Sequence, residues 1–132
     1  MNVIDKVAWI IIKDKKVLFV RSKGKEVFYF PGGKRDGIES DVQTLIREIK
    51  EELSVDLIES TIKYLTTFKT QAHGKDQGVF VESKYYTGDY IGTLKPAMEI
   101  EELAWFASED MEVVSDMGKL TLSWLKEKNL ID

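Results

Sequence analysis

Apolar and polar positions follow two different periods along this chain, and each period predicts a different kind of element. Residues 6–12 and 16–21 are rich in Val, Ile, Leu and Phe, which predicts two strands joined by a tight polar turn at residues 13–15. A third short strand is predicted at residues 27–30. It is ended by Pro31, which cannot donate to a strand ladder, and by the two glycines that follow.

The next segment has a helical period. Ser40 and Gln43 have the spacing of a capping box, so a helix is predicted to begin near Asp41. Apolar residues then recur at helical spacing and predict one buried stripe, which consists of Val42, Leu45, Ile46, Ile49 and Leu53.

The second half of the chain returns to strands before a last helix. Residues 61–71 and 78–86 predict an antiparallel hairpin around a polar loop at residues 73–77, and residues 99–106 lead into a further strand. Residues 115–128 predict an amphipathic helix on the opposite face of the sheet, with its apolar side formed by Met117, Leu120, Thr121, Trp124 and Leu125. This order of elements predicts an α+β fold with a central mixed β-sheet between helices.

Composition narrows the class of protein. The 132 residues fit a single domain spanning 1–132. A net charge of −4 disfavours a stable nucleic-acid complex, which needs excess Lys and Arg. Zero cysteines exclude disulfides and thiolate sites and suit the cytoplasm. The N-terminal apolar run is too short for a membrane span and lacks the features of a signal peptide. The oligomeric state stays open.

Two carboxylates lie one helical turn apart on the predicted helix. Glu48 and Glu52 fall side by side at the edge of the apolar stripe, and such like-charge pairs destabilise a helix by roughly 0.2–0.5 kcal/mol. A divalent cation between them reverses the sign of this interaction. Carboxylate oxygens without Cys or clustered His suit Mg²⁺ or Mn²⁺ better than zinc. The alternative is an ordinary solvated face.

The segment from Gly33 to Val55 resembles the signature of the Nudix hydrolases. That signature is a glycine, five residues, a glutamate, seven residues, and then Arg-Glu-apolar-x-Glu-Glu-x-Gly-apolar. The matching positions here are Gly33, Glu39, Arg47, Glu48, Ile49, Glu51, Glu52 and Val55. The resemblance implies a Nudix-like α/β/α sandwich over nearly the whole chain.

Two positions depart from the family pattern. Ile38 stands where a glycine often precedes the first glutamate, and Ser54 replaces the glycine that commonly ends the helix. A residue other than glycine in a left-handed helix cap costs on the order of 1 kcal/mol. Neither departure removes a carboxylate, so the site that the family implies is retained.

The resemblance implies a magnesium site in which manganese is expected to substitute. Glu48 and Glu52 are the expected main ligands, and Glu51 is a further ligand that also serves catalysis. The carbonyl of Gly32, just before the motif glycine Gly33, is expected to complete the shell.

Other residues of the motif have expected roles in shape and catalysis. Arg47 is interpreted as a scaffold within the catalytic motif that pairs with Glu39 or Glu51, because Arg makes rigid bidentate contacts with carboxylates. In many Nudix enzymes a glutamate about six residues before a tryptophan serves as ligand or general base. Glu99 has that offset from Trp105, and Glu102 is the nearby alternative.

The implied substrate is a small-molecule nucleotide. The mutator-type branch of the family predicts a nucleoside triphosphate, in its ordinary or an oxidised form, that is cut to monophosphate and pyrophosphate. The alternative enzyme is an ADP-ribose or nucleotide-sugar pyrophosphatase. The alternative from another class is a non-catalytic module that senses a nucleotide.

Aromatic residues are candidates to stack on a base, although each also fits a core position. Phe28, Tyr29 and Phe80 are the expected substrate-binding residues, with Tyr86 and Trp105 as further candidates. The single histidine, His73, is a candidate for phosphate contact or proton transfer, or a solvated loop residue.

Overall fold

The computed structural model describes residues 2–71 and 78–132, so His73 and the predicted loop around it lie outside the described residues. Two helices are present, α1 (Asp41–Leu53) and α2 (Asp116–Glu127). The strands are β1 (Asn2–Ile10), β2 (Ile12–Lys13), β3 (Lys16–Ser22), β4 (Gly32–Lys34), β5 (Asp56–Leu57), β6 (Lys63–Gln71), β7 (Val79–Thr87), β8 (Tyr90–Ile91) and β9 (Ile100–Phe106).

The main sheet is mixed. Its four strands follow the order β4-β1-β7-β6, with β1 parallel to β7 and both other pairs antiparallel. An antiparallel sheet of order β2-β3-β9 lies beside it, and β5 pairs with β8. The predicted α+β architecture with a mixed sheet between helices is therefore confirmed. The predicted hairpin is also confirmed, as β6 and β7.

Residues 6–12, which were predicted as one strand, belong to two strands. β1 ends at Ile10 and pairs with β4 and β7, and only β2 pairs with β3 across a turn in which Asp14 and Lys15 have positive φ. The parallel partner of β1 lies far along the chain, so the local pattern contains no sign of it. The first predicted strand is thus divided between two sheets.

The short strand predicted at residues 27–30 forms only two isolated bridges, Val20 with Tyr29 and Phe28 with Val114. The segment that pairs with β1 is instead β4. It is three residues long and contains the two glycines that were predicted to end the third strand. Glycine without a side chain permits this close approach, because a Cβ at Gly32 would lie 2.1 Å from the carbonyl oxygen of Val7.

Two apolar clusters occupy the two faces of the sheets. Val7 and Trp9 of β1 pack with α1, whereas Ala8 and Ile10 belong to the cluster that contains α2. The alternation of side chains along the strand therefore places the helices on opposite faces, as predicted. The stripe of α2 differs in one position, since Leu122 is fully buried and Leu120 is exposed. Among the described residues, no helix is long and apolar enough to cross a membrane.

Candidate active site

The helix α1 is fixed at both ends and along one face. The amide of Gln43 donates to Ser40 Oγ at 3.1 Å, and the amide of Ser40 donates back to the Gln43 side chain at 2.9 Å, so the predicted capping box is present. Ser54 ends the helix in the left-handed region at φ 66°. Because Leu45, Ile49 and Leu53 are fully buried, the directions of the glutamates between them are set.

Glu52 is the most buried carboxylate of the motif, with only 3% of the residue exposed. Its Oε1 accepts a hydrogen bond from the amide of Gly32 at 3.0 Å. Burial raises the pKa of the Glu52 carboxyl to about 8, because the charged form loses solvation, and the negative charges of Glu48 and Glu99 act in the same direction. A buried carboxylate with this environment is typical of a functional site.

Glu48 lies directly against the backbone of Gly33. A Cβ at Gly33 would lie 2.4 Å from Glu48 Cδ, so any side chain at this position would displace the Glu48 carboxylate. Burial raises the pKa of the Glu48 carboxyl, while the neighbouring Arg47 opposes that shift. The two glycines thus bring β4 into contact with the carboxylates of α1. The role of the Gly32 carbonyl as a ligand stays a prediction.

Arg47 contacts three carboxylates at once. Its Nε and Nη2 donate to Glu39 at 2.7 and 2.9 Å. Its Nη1 donates to Glu48 at 3.0 Å and to Glu51 at 3.3 Å. The hydrogen bond from Arg47 lowers the pKa of Glu39 to about 2. Arg47 therefore contacts both of its predicted partners and Glu48 in addition.

The two candidate glutamates near β9 have different surroundings. Glu102 accepts two hydrogen bonds from Arg21, at 3.1 and 2.9 Å, so its carboxylate is already paired with a cation. Glu99 is exposed just before β9, and its negative charge raises the pKa of Glu48 and of Glu52. These surroundings favour Glu99 over Glu102 as the candidate, and the role of Glu99 as general base stays a prediction.

A cleft of about 360 Å³ begins at the same two glycines and extends toward α2. Tyr29 lines this cleft, and its hydroxyl is hydrogen-bonded to Ser22. The other two predicted substrate-binding residues do not line it. Phe28 packs edge-on against Phe106 at 4.9 Å, and Phe80 has the Lys69 ammonium 5.4 Å from its ring centroid.

The cleft also contains polar residues that sequence reasoning missed. Lys6 and Lys34 lie at the end near the glutamates, and Ser83 lies on the sheet that forms the floor. Burial and the nearby Lys34 lower the pKa of the Lys6 ammonium, while Glu52 and Glu48 oppose this shift. The available sequence signal was the lysine itself, which interrupts the apolar strand β1.

The donor set fits a hard divalent cation. The carboxylates of Glu48, Glu51 and Glu52 supply only oxygen atoms, which suit Mg²⁺ and Mn²⁺. Within the two described ranges, no three acidic or histidine side chains already form a metal-binding group. Arg47 contributes to the absence of such a group, because its hydrogen bonds occupy oxygen atoms of Glu48 and Glu51. A cation would compete with Arg47 for these oxygens.

Comparisons with known proteins identify the family of this chain. A family model described as NUDIX domain matches residues 4–125. The CTP pyrophosphohydrolase of Escherichia coli K12 is 31% identical over 115 residues, which cover 83% of this chain and 80% of that protein.

Solved structures of similar proteins share the fold. The solution structure of the E. coli ORF135 protein has a TM-score of 0.71 at 27% identity, covering 96% of this chain and 92% of that one. The MutT NUDIX hydrolase from Burkholderia pseudomallei has a TM-score of 0.77 at 22% identity, covering 93% and 98%. At that lower identity the likeness concerns the fold alone.

Proposed function

This chain belongs to the NUDIX family, and from that premise we propose that it is a Mg²⁺- or Mn²⁺-dependent pyrophosphohydrolase that cuts a nucleoside triphosphate to monophosphate and pyrophosphate. One observation carries the proposal. The buried Glu52 and the neighbouring Glu48 contact the two glycines that also line the cleft, so carboxylates and cleft meet at one point. A nucleotide in the cleft would have its phosphates beside the carboxylates.

The proposed roles follow from the surroundings of each residue. Glu48 and Glu52, with Glu51, would hold the cation, which supplies charge neutralisation at phosphate oxygens and lowers the pKa of water. Glu99 is exposed and has the role of accepting a proton from the attacking water. Arg47 keeps the carboxylates in position through its hydrogen bonds to Glu39 and Glu48.

The nucleoside is chosen by the cleft. Its walls combine aromatic and apolar side chains with a few polar groups, among them Tyr29, Phe30, Ser83 and Met117. Such a lining suits a planar base with polar edges. CTP is the first triphosphate to test, because a relative with 31% identity is a CTP pyrophosphohydrolase. Oxidised purine triphosphates remain the second choice from the family branch.

The decisive experiment is a substrate panel with the purified protein and Mg²⁺. CTP, the other common triphosphates, an oxidised guanosine triphosphate, ADP-ribose and a nucleotide sugar are incubated separately, and the products are separated by ion-exchange chromatography. We expect one triphosphate to give monophosphate and pyrophosphate. Preferential cleavage of ADP-ribose would replace the triphosphate assignment, and binding of a nucleotide without any product would support the sensing module.

Metal and pH provide the matched controls. Activity should disappear in excess chelator and return with Mg²⁺ or Mn²⁺. It should rise as the pH approaches 8, because Glu52 must lose its proton before it binds a cation and its pKa is raised to about 8. Full turnover in chelator would contradict the proposed role of the carboxylates.

A further inference from the structure

Two lysines face each other across neighbouring strands at the end of the cleft. Lys6 of β1 is paired directly with Lys34 of β4 in an antiparallel register, so both side chains are on the same face of the sheet. Both line the cleft. Among the described residues, neither lysine has a carboxylate within salt-bridge distance.

This arrangement opposes folding. Like charges directly opposite each other on adjacent strands are destabilising, and Lys6 is also half-buried. A second lysine pair in the same protein shows the contrast, since Lys13 and Lys16 are also paired across two strands. That second pair is exposed and lies outside the cleft. Of these two pairs in the described part of the chain, the one at Lys6 therefore combines repulsion, partial burial and a place in a cavity.

The position of the pair indicates its ligand. Lys34 follows Gly33, on which the Glu48 carboxylate rests, and the next pairs along β1 are Val7 with Gly33 and Ala8 with Gly32. The lysine pair thus lies one register step from Gly33, which the Glu48 carboxylate contacts. It lines the cleft together with the two glycines that contact the carboxylates.

We propose that Lys6, with Lys34 opposite it, forms an anion subsite that binds phosphate groups of the substrate beside the carboxylate site. The inference rests on the proposed function. It adds the residues whose positive charge would offset the repulsion between the phosphate groups of the substrate and the nearby glutamates. Two ammonium groups on neighbouring strands can each pair with one of two neighbouring phosphate groups. A neutral base offers them no negative charge. A phosphate that bridges them removes their repulsion and completes their hydrogen bonds.

The test uses methylenediphosphonate, a pyrophosphate analogue that resists hydrolysis, so that no turnover is required. Its Kd is measured by calorimetry with Mg²⁺ for the parent protein, Lys6→Met, Lys6→Arg and Lys16→Met. Lys6→Met keeps the stem of the side chain and removes the charge, so binding should weaken by about tenfold or more. Lys6→Arg keeps the charge and should bind like the parent. Lys16→Met removes a charge from the exposed pair and should change nothing.

Thermal unfolding separates this subsite from a structural role. Lys6→Met should melt at the same temperature as the parent or higher, because it removes a repulsive, half-buried charge, while its diphosphonate affinity falls. Unchanged affinity in Lys6→Met, or no binding of the analogue by the parent, would overturn the subsite. Failure of the proposed reaction would appear separately, as intact nucleotides in the substrate panel alongside a normal diphosphonate Kd.

Discussion

The two helices pack on opposite faces of the same sheets, and both begin at a serine cap, yet they bury different chemistry. α2 buries Leu122 and Leu125 together with Thr121, whose hydroxyl oxygen lies 2.9 Å from the Tyr85 hydroxyl and from the Met117 carbonyl. α1 buries a similar apolar stripe and adds a carboxylate, Glu52, that receives one backbone hydrogen bond.

The buried residues of α2 contribute to packing, whereas those of α1 also contribute a group to the proposed chemistry. In α2, the buried polar group is satisfied by its neighbours, so packing and polar satisfaction agree. In α1, Glu52 loses solvation, Glu48 stands one turn away with the same charge, and Ser54 occupies a left-handed cap. Locally unfavourable features of this kind are expected at functional sites. Here they coincide with the proposed active site.

The largest combined effect, on metal affinity as well as on turnover, should come from Glu52→Gln, which keeps the shape of the side chain and removes its negative charge. Turnover and Mn²⁺ affinity should both fall by about 10²-fold or more, since even outer-shell partners of metal ligands change affinity by about 10–100-fold. Mn²⁺ binding followed by electron paramagnetic resonance, together with steady-state rates, measures both quantities. An active Glu52→Gln enzyme with normal metal affinity would overturn the metal assignment.

The matched change in the other helix is Leu122→Ala. Removing this fully buried side chain should lower the free energy of unfolding by about 2–5 kcal/mol, because a cavity remains. Mn²⁺ affinity at a temperature where the variant is folded should be unchanged. Urea unfolding gives the first quantity and Mn²⁺ titration the second. A large loss of metal affinity here would mean that the two helices are not separable in function.

Glu99→Gln tests the division between ligand and base. Because Glu99 is outside α1 and exposed, we expect Mn²⁺ affinity close to that of the parent and turnover lower by roughly 10²–10⁴-fold. Glu102→Gln is the control, since that carboxylate is bound to Arg21 and should have little effect on turnover. Loss of metal affinity in Glu99→Gln would make Glu99 a ligand instead.

Arg47→Lys should reduce turnover and melting temperature together. Lysine retains the positive charge but cannot reproduce the fork that reaches Glu39, Glu48 and Glu51 at once. We expect a turnover loss of about tenfold, near 1.4 kcal/mol of activation free energy. Differential scanning calorimetry and steady-state kinetics measure the two effects. Lower turnover with an unchanged melting temperature would indicate that Arg47 contacts the substrate and is not a scaffold.

The sequence predicted α1 well because the determinants of a helix are local. The capping box of Ser40 and Gln43 and the stripe through Leu45 and Ile49 all act over three or four residues. The contacts of Arg47 with Glu39 and Glu51 were also predictable, from the motif and the helical spacing.

What the sequence could not predict depends on residues that are distant along the chain. Lys6 gains its neighbour Lys34 and its cavity only when β1 pairs with β4 and β7. Likewise, Phe28 and Phe80 were predicted to bind substrate because they are aromatic. Phe28 packs against Phe106 and Phe80 against Lys69, and neither ring lines the cleft.

The smallest effect, and the one that isolates backbone strain in α1, should come from Ser54→Gly. Ser54 has φ 66°, a conformation that costs an L-residue about 1–2 kcal/mol and costs glycine almost nothing. Glycine also gains freedom in the unfolded chain, by roughly 0.5–1 kcal/mol, so the net gain in the free energy of unfolding should be about 0.5 kcal/mol. Urea unfolding of Ser54→Gly and of the parent measures it.

The matched control at the end of α2 is Lys128→Gly, where φ is −83° and no strain exists to relieve. Glycine there brings the entropic penalty and removes the Lys128 ammonium, which lies 5.7 Å from the Trp124 ring centroid, so the free energy of unfolding should fall by at least about 0.5–1 kcal/mol. Opposite signs for the two substitutions would locate the backbone strain at the end of α1. If Ser54→Gly also lowers stability, the hydrogen bond from Ser54 Oγ to the Lys95 carbonyl, at 3.3 Å, outweighs the backbone strain.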